Sequence, residues 1–226
     1  MLELLTELFP HVVERPQDFF DSIVETLIMT GWSGSLMFAF GLVLGVLLTV
    51  TKPRGILENR LIFQVLDKVI NLFRSIPFVI LIALLMNVTR FIMGTRIGVR
   101  GVIVPLVVGS APFFARQVDS ALAGVDPGLI EAAKSMGCRP LGIIFRVYLK
   151  EGAAAIARGT TITLISLIGL TAMAGYVGAG GLGDYAIVFG YNYNRMDIVW
   201  ASVIVIVVLV TLIQAIGTLI ARKNTH

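Results

Sequence analysis

The sequence predicts an all-α integral membrane protein in which a single transmembrane domain covers residues 1–226. Two observations lead to this fold class. Hydrophobic residues make up 57% of the chain and charged residues only 14%, whereas charged residues account for about 25% of an ordinary soluble domain. Long uncharged stretches also recur from one end of the chain to the other, so lipid is a better solvent than water for most of its surface.

The predicted spans follow from the lengths of these stretches. About 20 apolar residues are needed to cross a hydrocarbon layer that is roughly 30 Å thick. Three uncharged stretches are long enough, and two shorter ones suffice if the arginines at their ends extend into the headgroup region. The five spans are residues 26–51, 75–93, 99–116, 158–176 and 198–221. A re-entrant hairpin is the alternative for the second and third.

The distribution of positive charge predicts the orientation, because cytoplasmic segments of membrane proteins are enriched in Lys and Arg. With the N-terminus outside and the C-terminus in the cytoplasm, 13 of the 18 Lys and Arg residues fall on the cytoplasmic side. The five outer residues are Arg15, Arg90, Arg96, Arg100 and Arg195. The net charge of +4 therefore reflects topology, and we expect no nucleic-acid partner.

Shorter features accompany the spans. Five apolar residues near the N-terminus predict a short amphipathic helix at the membrane surface, and the acidic residues around them are not typical of a signal peptide. The five are Leu2, Leu4, Leu5, Leu8 and Phe9. Residues 56–74 are amphipathic and are expected to lead helically into the second span. Gly41 and Gly45 have the GxxxG spacing of closely packed helices, which we expect to pack within the chain rather than between subunits.

A long inner loop, residues 117–157, contains a short helix with clear end signals. Asp126 is a suitable N-cap and Pro127 fits the first helical position. Gly137 fits the left-handed residue that ends a helix, so the helix has about three turns. Its apolar stripe consists of Leu129, Ile130, Ala133 and Met136. Either the rest of the chain or the groove of a partner must cover that stripe.

This loop resembles the EAA loop of ABC importer permeases. The resemblance is in Glu131-Ala132-Ala133 followed after three residues by Gly137, and it continues to Val147 and Leu149. Lys150 stands where the family has proline, which leaves the end of the second helix of the loop open. The resemblance implies that Glu131, Ala132, Ala133, Met136 and Gly137 form a coupling helix that sits in a groove of a separate ATPase subunit.

Four other segments are similar to the methionine-importer branch of these permeases, and the similarity covers about residues 20–220. They are residues 72–78, 111–116, 172–175 and 180–184. The resemblance implies a permease in the bacterial cytoplasmic membrane that imports methionine or a close derivative by alternating access. It also implies two copies of this chain, two copies of the ATPase and an external binding protein, usually a lipoprotein.

The outer side offers two candidate sites for such an assembly. Met173, near the outer end of the fourth span, is a candidate for closing the pathway across a dimer axis, with core packing as the alternative. Tyr191, Tyr193 and Asp197 are candidates for docking the binding protein. The alternative for these three is a solvated loop with interfacial tyrosines.

Motifs of nucleotide and metal chemistry are missing or misplaced in the sequence. No lysine follows a glycine, so the chain has no Walker A motif. Residues 178–183 fit GxGxxG but follow a membrane span rather than a strand, which indicates a flexible turn where subunits approach closely. With one cysteine, Cys138, and with His11 and His226 expected to be solvated near opposite ends, no metal site is predicted. We expect no catalytic residue or cofactor in this chain, with ATP and Mg²⁺ bound by the ATPase.

Other membrane functions require residues that differ from those of an ATP-driven importer. A carrier usually has ionisable residues at mid-membrane depth, and a membrane-embedded enzyme needs buried His, Asp or Glu. The three long uncharged stretches have neither. A permease for a different small polar solute and an ATP-independent channel or carrier stay as the alternative functions.

Overall fold

The computed structural model describes residues 7–224, and every regular element in that range is helical. The first six helices are α1 (Pro10–Glu14), α2 (Pro16–Thr51), α3 (Arg60–Ser75), α4 (Phe78–Met93), α5 (Gly98–Ala123) and α6 (Pro127–Ser135). They are followed by α7 (Pro140–Ile143), a π-helical turn (Ile144–Tyr148), α8 (Leu149–Glu151) and α9 (Ala153–Gly175). The last elements are α10 (Gly181–Asp184), a second π-helical turn (Tyr185–Gly190), a 3₁₀ turn (Tyr191–Tyr193) and α11 (Met196–Lys223).

Four helices within this range are long and apolar enough to cross a membrane, which confirms the predicted fold class. They are α2, α5, α9 and α11. The helix of the first span begins at Pro16, ten residues before the predicted span, and α5 extends the third to Ala123. Since α5 alone has 26 residues, it does not need the second span as a hairpin partner to reach across.

The second span is the exception. With 16 residues, α4 is too short to cross a membrane by itself. The chain bends by 110° between α3 and α4. Counting the bent pair as one span gives five in total. The amphipathic helix predicted over 56–74 is present, but it does not continue straight into α4. Ile76 is extended (φ −83°, ψ 123°) because Pro77 disfavours the helical conformation for the residue before it.

The chain divides into two compact units, with one boundary inside each of the four long helices and a fifth between α3 and α4. The first unit contains the chain up to Ser35, Pro77–Val107 and Leu164–Ile213. The second unit contains Leu36–Ile76, Val108–Thr163 and the chain from Gln214 onward. The single domain expected from the sequence stays a prediction.

In the second unit, α2 packs closely on α5 through the GxxxG pair. A β-carbon added to Gly41 would lie 2.7 Å from Cδ1 of Phe114, and one added to Gly45 would lie 2.5 Å from Cβ of Val118. Only glycine allows this approach, because real β-carbons do not come so near. The prediction that this pair packs within the chain is confirmed.

An ionic network holds α3 on α5 in the same unit. The Arg116 guanidinium donates hydrogen bonds to Asp67 and, at 3.1 Å, to Asn71. It also lies 3.7 Å from Asp119, which accepts a hydrogen bond of 2.9 Å from Thr49 on α2. Three helices therefore share one network of charged hydrogen bonds.

The N-terminal prediction lies largely beyond the described range. Leu2, Leu4 and Leu5 lie outside the described residues, as does His226. Leu8 is exposed, and Phe9 precedes the short helix α1.

Candidate functional site

The helix α6 has the end structures that its sequence predicts. Oδ1 of Asp126 accepts a hydrogen bond of 2.8 Å from the N–H of Gly128, and Pro127 occupies the first position. At the other end Gly137 is left-handed, with φ at +74°. The N–H of Cys138 donates to the carbonyl of Ala133 (3.1 Å) and that of Gly137 donates to Lys134 (2.9 Å). This is the Schellman pattern, so both ends of the nine-residue helix are satisfied locally.

The predicted coupling residues do not all face the same way. Glu131, Ala132, Met136 and Gly137 are exposed, and the exposed fraction of Met136 is 75%. Ala133 is 4% exposed and faces the chain itself. The rest of the chain therefore covers one residue of the apolar stripe, Ala133, whereas Met136 remains accessible to a partner.

The segment after α6 adds apolar surface that sequence reasoning missed. The helix α6 packs on α7 and on the π-helical turn that follows it. Leu141 and Phe145 are both exposed. Their spacing of four residues, which places them on the same side of a helix, was the sequence signal that could have indicated this apolar surface. The departure at Lys150 is also explained, because lysine keeps its backbone N–H and the helix continues to Glu151.

One face of α9 is exposed along the helix at spacings of three or four residues. The exposed residues are Arg158, Ile162, Ser166, Gly169 and Met173. The predicted gate residue Met173 is 44% exposed, and a β-carbon on Gly169 would have no neighbour within 4 Å. This face mixes an arginine, a serine and a glycine with apolar residues, which is not typical of a surface in contact with lipid tails.

The predicted docking residues separate into two groups. Tyr191 and Tyr193 are exposed, and the ring of Tyr193 lies 5.7 Å from the Arg195 guanidinium carbon. Asp197 has a side chain only 12% exposed and already has a partner. It accepts a hydrogen bond of 3.0 Å from the N–H of His11 and lies 3.0 Å from Nδ1 of the same residue. His11 keeps a side chain that is 36% exposed, as expected of a solvated residue, but it also has Asp197 as a partner.

The glycine-rich turn after α9 is occupied by side chains of α2. Gly178, Gly180 and Gly181 have positive φ angles. The N–H of Gly181 donates to Oε2 of Glu25 at 2.7 Å, and the N–H of Leu182 donates to Oγ1 of Thr26 at 2.8 Å. The Glu25 carboxylate thus accepts a backbone N–H hydrogen bond of the kind that a nucleotide phosphate would need in this turn. The close approach of Gly183 is to Ala172 of the same chain.

Asp184, at the end of α10, is electrostatically coupled to this turn. Burial, followed by repulsion from the Glu25 carboxylate, raises the pKa of Asp184. No group of three or more His, Cys, Asp or Glu side chains suited to a metal ion occurs within residues 7–224. Cys138 is exposed and has no disulfide partner.

Long apolar helices, with a short, capped and exposed helix between two of them, are typical of a membrane transport subunit. Residues 38–226 match the family described as binding-protein-dependent transport system inner membrane components, and the chain belongs to that family. The resemblance drawn from the EAA loop is confirmed. The chain is thus an inner-membrane component of a transport system, and its family is one of transport components rather than enzymes.

Relatives and solved structures resemble the chain over most of its length. It is 45% identical over 202 residues to the probable D-methionine transport system permease protein MetI of Vibrio cholerae, covering 89% of this chain and 90% of the relative. It is 47% identical over 176 residues to the methionine import system permease protein MetP of Bacillus subtilis, covering 78% and 79%. It also matches an inward-facing structure of the MetNI methionine ABC transporter with a TM-score of 0.90 and 43% identity, covering 92% of this chain and 97% of that chain. An amino acid ABC transporter with histidines shares the fold at 18% identity, with a TM-score of 0.78 and coverage of 95% and 98%.

Proposed function

We propose that this chain is the permease subunit of an ATP-driven importer and forms the path by which methionine, or a close derivative, enters the cytoplasm. The observation that carries the proposal is its similarity, over nearly its whole length, to methionine transport permeases and to the MetNI transporter. The long helices α2, α5, α9 and α11, with the bent pair α3 and α4, provide the wall of the path.

The working assembly has two copies of this chain in the membrane, two copies of an ATPase subunit and an external binding protein. ATP and Mg²⁺ belong to the ATPase, because this sequence has no Walker A motif. The N-terminus lies outside and the C-terminus lies in the cytoplasm, in keeping with the excess of Lys and Arg on the cytoplasmic side.

The helix α6 is the part of the chain that docks on the ATPase. Glu131, Ala132, Met136 and Gly137 present its open side, and Ala133 seats the helix on the permease itself. The exposed side chains of Leu141 and Phe145 enlarge the apolar surface beside it. An apolar helix face held rigidly by two caps suits a groove in a partner, since little ordering entropy is lost on docking.

Alternating access follows from this attachment. Closure of the two ATPase subunits around ATP moves the two α6 helices, and the long helices transmit that motion as rigid elements. Met173 lies on the exposed face of α9, where it closes the path against its copy in the second subunit. The adaptable packing of methionine suits a contact that forms and breaks in each cycle.

On the outer side, Tyr191 and Tyr193 are the docking residues for the binding protein, because both are exposed on a short turn. Asp197 acts differently. Its carboxylate accepts a hydrogen bond from the N–H of His11, the second residue of α1. The first N–H groups of a helix have no partner within that helix. Asp197 therefore attaches α1 to the start of α11.

The proposal is tested by uptake of labelled methionine into proteoliposomes that contain this chain, its ATPase and its binding protein, with and without ATP. Uptake that needs ATP and is inhibited by excess methionine but not by other amino acids is the expected result. If the binding protein stimulates ATP hydrolysis without methionine uptake, the substrate is wrong. Uptake independent of ATP overturns the permease assignment itself.

A further inference from the structure

A cavity of about 640 Å³ opens in the second unit, between the end of α5, the start of α9 and the C-terminal end of α11. Its volume is within the range of small-molecule sites. Gly159 lets α9 come close to α5 at its edge, since a β-carbon there would lie 2.9 Å from Cβ of Gln117. The helices α5 and α9 are therefore closely packed at the edge of the cavity.

The lining contains one anion and one cation. Glu151 and Arg158 both line the cavity, and both are exposed. Glu151 ends α8, and Arg158 lies in the second turn of α9. Within residues 7–224 neither side chain has a hydrogen bond or an ion pair, and the same holds for Gln117. Two charges of opposite sign line one cavity, and neither has a partner among residues 7–224, which suits a ligand that supplies both partners.

The rest of the lining combines aliphatic side chains with two further polar residues, Ser120 and Asn224. Val125 and Ile162 contribute aliphatic surface, and Ala121, Ala154 and Ala155 leave room beside them. A ligand that fits has an ammonium group, a carboxylate and an apolar side chain. Inorganic ions lack the apolar part, and sugars lack the charges.

We propose that this cavity is a weak exit site for the transported amino acid, in which Arg158 binds the α-carboxylate and Glu151 binds the α-ammonium group. The inference rests on the proposed function, because it takes the cargo to be an amino acid with an apolar side chain. Gln117 adds an amide to the same site. The two ionic contacts replace part of the hydration that the zwitterion loses in the path. Since the cavity is open, the site is weak enough for release.

The test uses the permease–ATPase complex in nanodiscs without the binding protein. Saturation-transfer NMR, which detects weak ligands, compares methionine with methionine amide, which lacks the carboxylate, and with N-acetylmethionine, which lacks the ammonium group. The wild type should prefer methionine to both analogues. Arg158→Gln should weaken methionine binding about tenfold or more and abolish its advantage over the amide. Glu151→Gln should abolish its advantage over the N-acetyl analogue.

Two control variants separate a lost ligand contact from a damaged protein. Arg158→Lys keeps the charge and should retain most binding. Arg60→Gln removes an exposed arginine that does not line the cavity and should behave like the wild type. A binding site elsewhere, including one on the ATPase, would not depend on Arg158.

Transport provides the second arm. In proteoliposomes Arg158→Gln should lower methionine uptake several-fold while ATP hydrolysis stimulated by the loaded binding protein stays near the wild-type rate. Wild-type uptake together with unchanged preference for methionine over its amide in this variant overturns the exit site but leaves the importer intact. Equal losses of uptake and ATP hydrolysis also overturn it, since they place Arg158 in ATPase coupling. If the wild type itself imports no methionine, the proposed function fails instead.

Discussion

The backbone at Gly137 offers a sharp test of the coupling helix. Gly137 has φ at +74°, and a β-carbon added there would have no heavy atom within 4 Å. Gly137→Ala therefore introduces no clash, and its whole cost is the left-handed conformation, about 1–2 kcal/mol. A cost of this size shifts a local equilibrium by about 5–30-fold. The last turn of α6 then opens, because the hydrogen bonds of Gly137 and Cys138 to the helix depend on that conformation.

The assay is methionine uptake per ATP hydrolysed in proteoliposomes of the complete transporter. Gly137→Ala should lower that ratio and weaken association with the ATPase, while the subunit still inserts and melts near the wild-type temperature. Gly137→Asn should recover part of the loss, since asparagine tolerates the left-handed region. Gly137→Arg adds bulk on the docking side and should abolish coupled uptake.

The matched control is Gly31→Ala, the same chemical change on α2 with no atom within 4 Å and no positive φ. It should leave uptake unchanged. Wild-type coupling in Gly137→Ala would refute the argument that the end of α6 must be rigid. Normal ATP-driven uptake by Gly137→Arg would refute the assignment of α6 as the coupling helix.

Three further predictions concern stability. Gly45→Ala should destabilise the subunit by about 1–3 kcal/mol, seen as a lower melting temperature in detergent, because its β-carbon would lie 2.5 Å from Cβ of Val118; the open-space glycine control should not melt earlier. Asp184→Asn should remove a loss of stability that the wild type shows in melts as the pH rises through the raised pKa of Asp184. Burial of this carboxyl, and then repulsion from Glu25, favour its protonated form in the folded state. Identical pH profiles for the two proteins would contradict this. Arg116→Met should cost about 1–2 kcal/mol, because it leaves the carboxylates of Asp67 and Asp119, which are 33% and 23% exposed, without their cation. A melting curve like the wild type's would show that the network is dispensable.

Features that depend on neighbours in sequence were predictable. The long helices α2, α9 and α11 follow from uncharged stretches, because crossing lipid requires consecutive apolar residues. The ends of α6 follow from Asp126 and Gly137, since both caps form with groups only a few residues away. The bend before α4 had a local signal in Pro77, but the amphipathic pattern of α3 favoured a continuous helix.

Features that depend on distant residues needed the tertiary structure. Asp197 is 186 residues from His11, and Glu25 is 156 residues from Gly181, so no local pattern indicated either pair. The stripe on α6 had the right spacing, yet only packing decided which of its residues the chain covers.

The sequence by itself thus determined the membrane class, the positions of the long helices, the capped helix α6 and the family resemblance, because hydropathy, capping and motif spacing act over short distances along the chain. Only the tertiary structure decided that the GxxxG pair packs on α5, that Asp197 already has a partner, and that residues 117–125, 151–162 and Asn224 line one cavity. These features arise where segments far apart in sequence meet, and their energies depend on packing and charge between those segments.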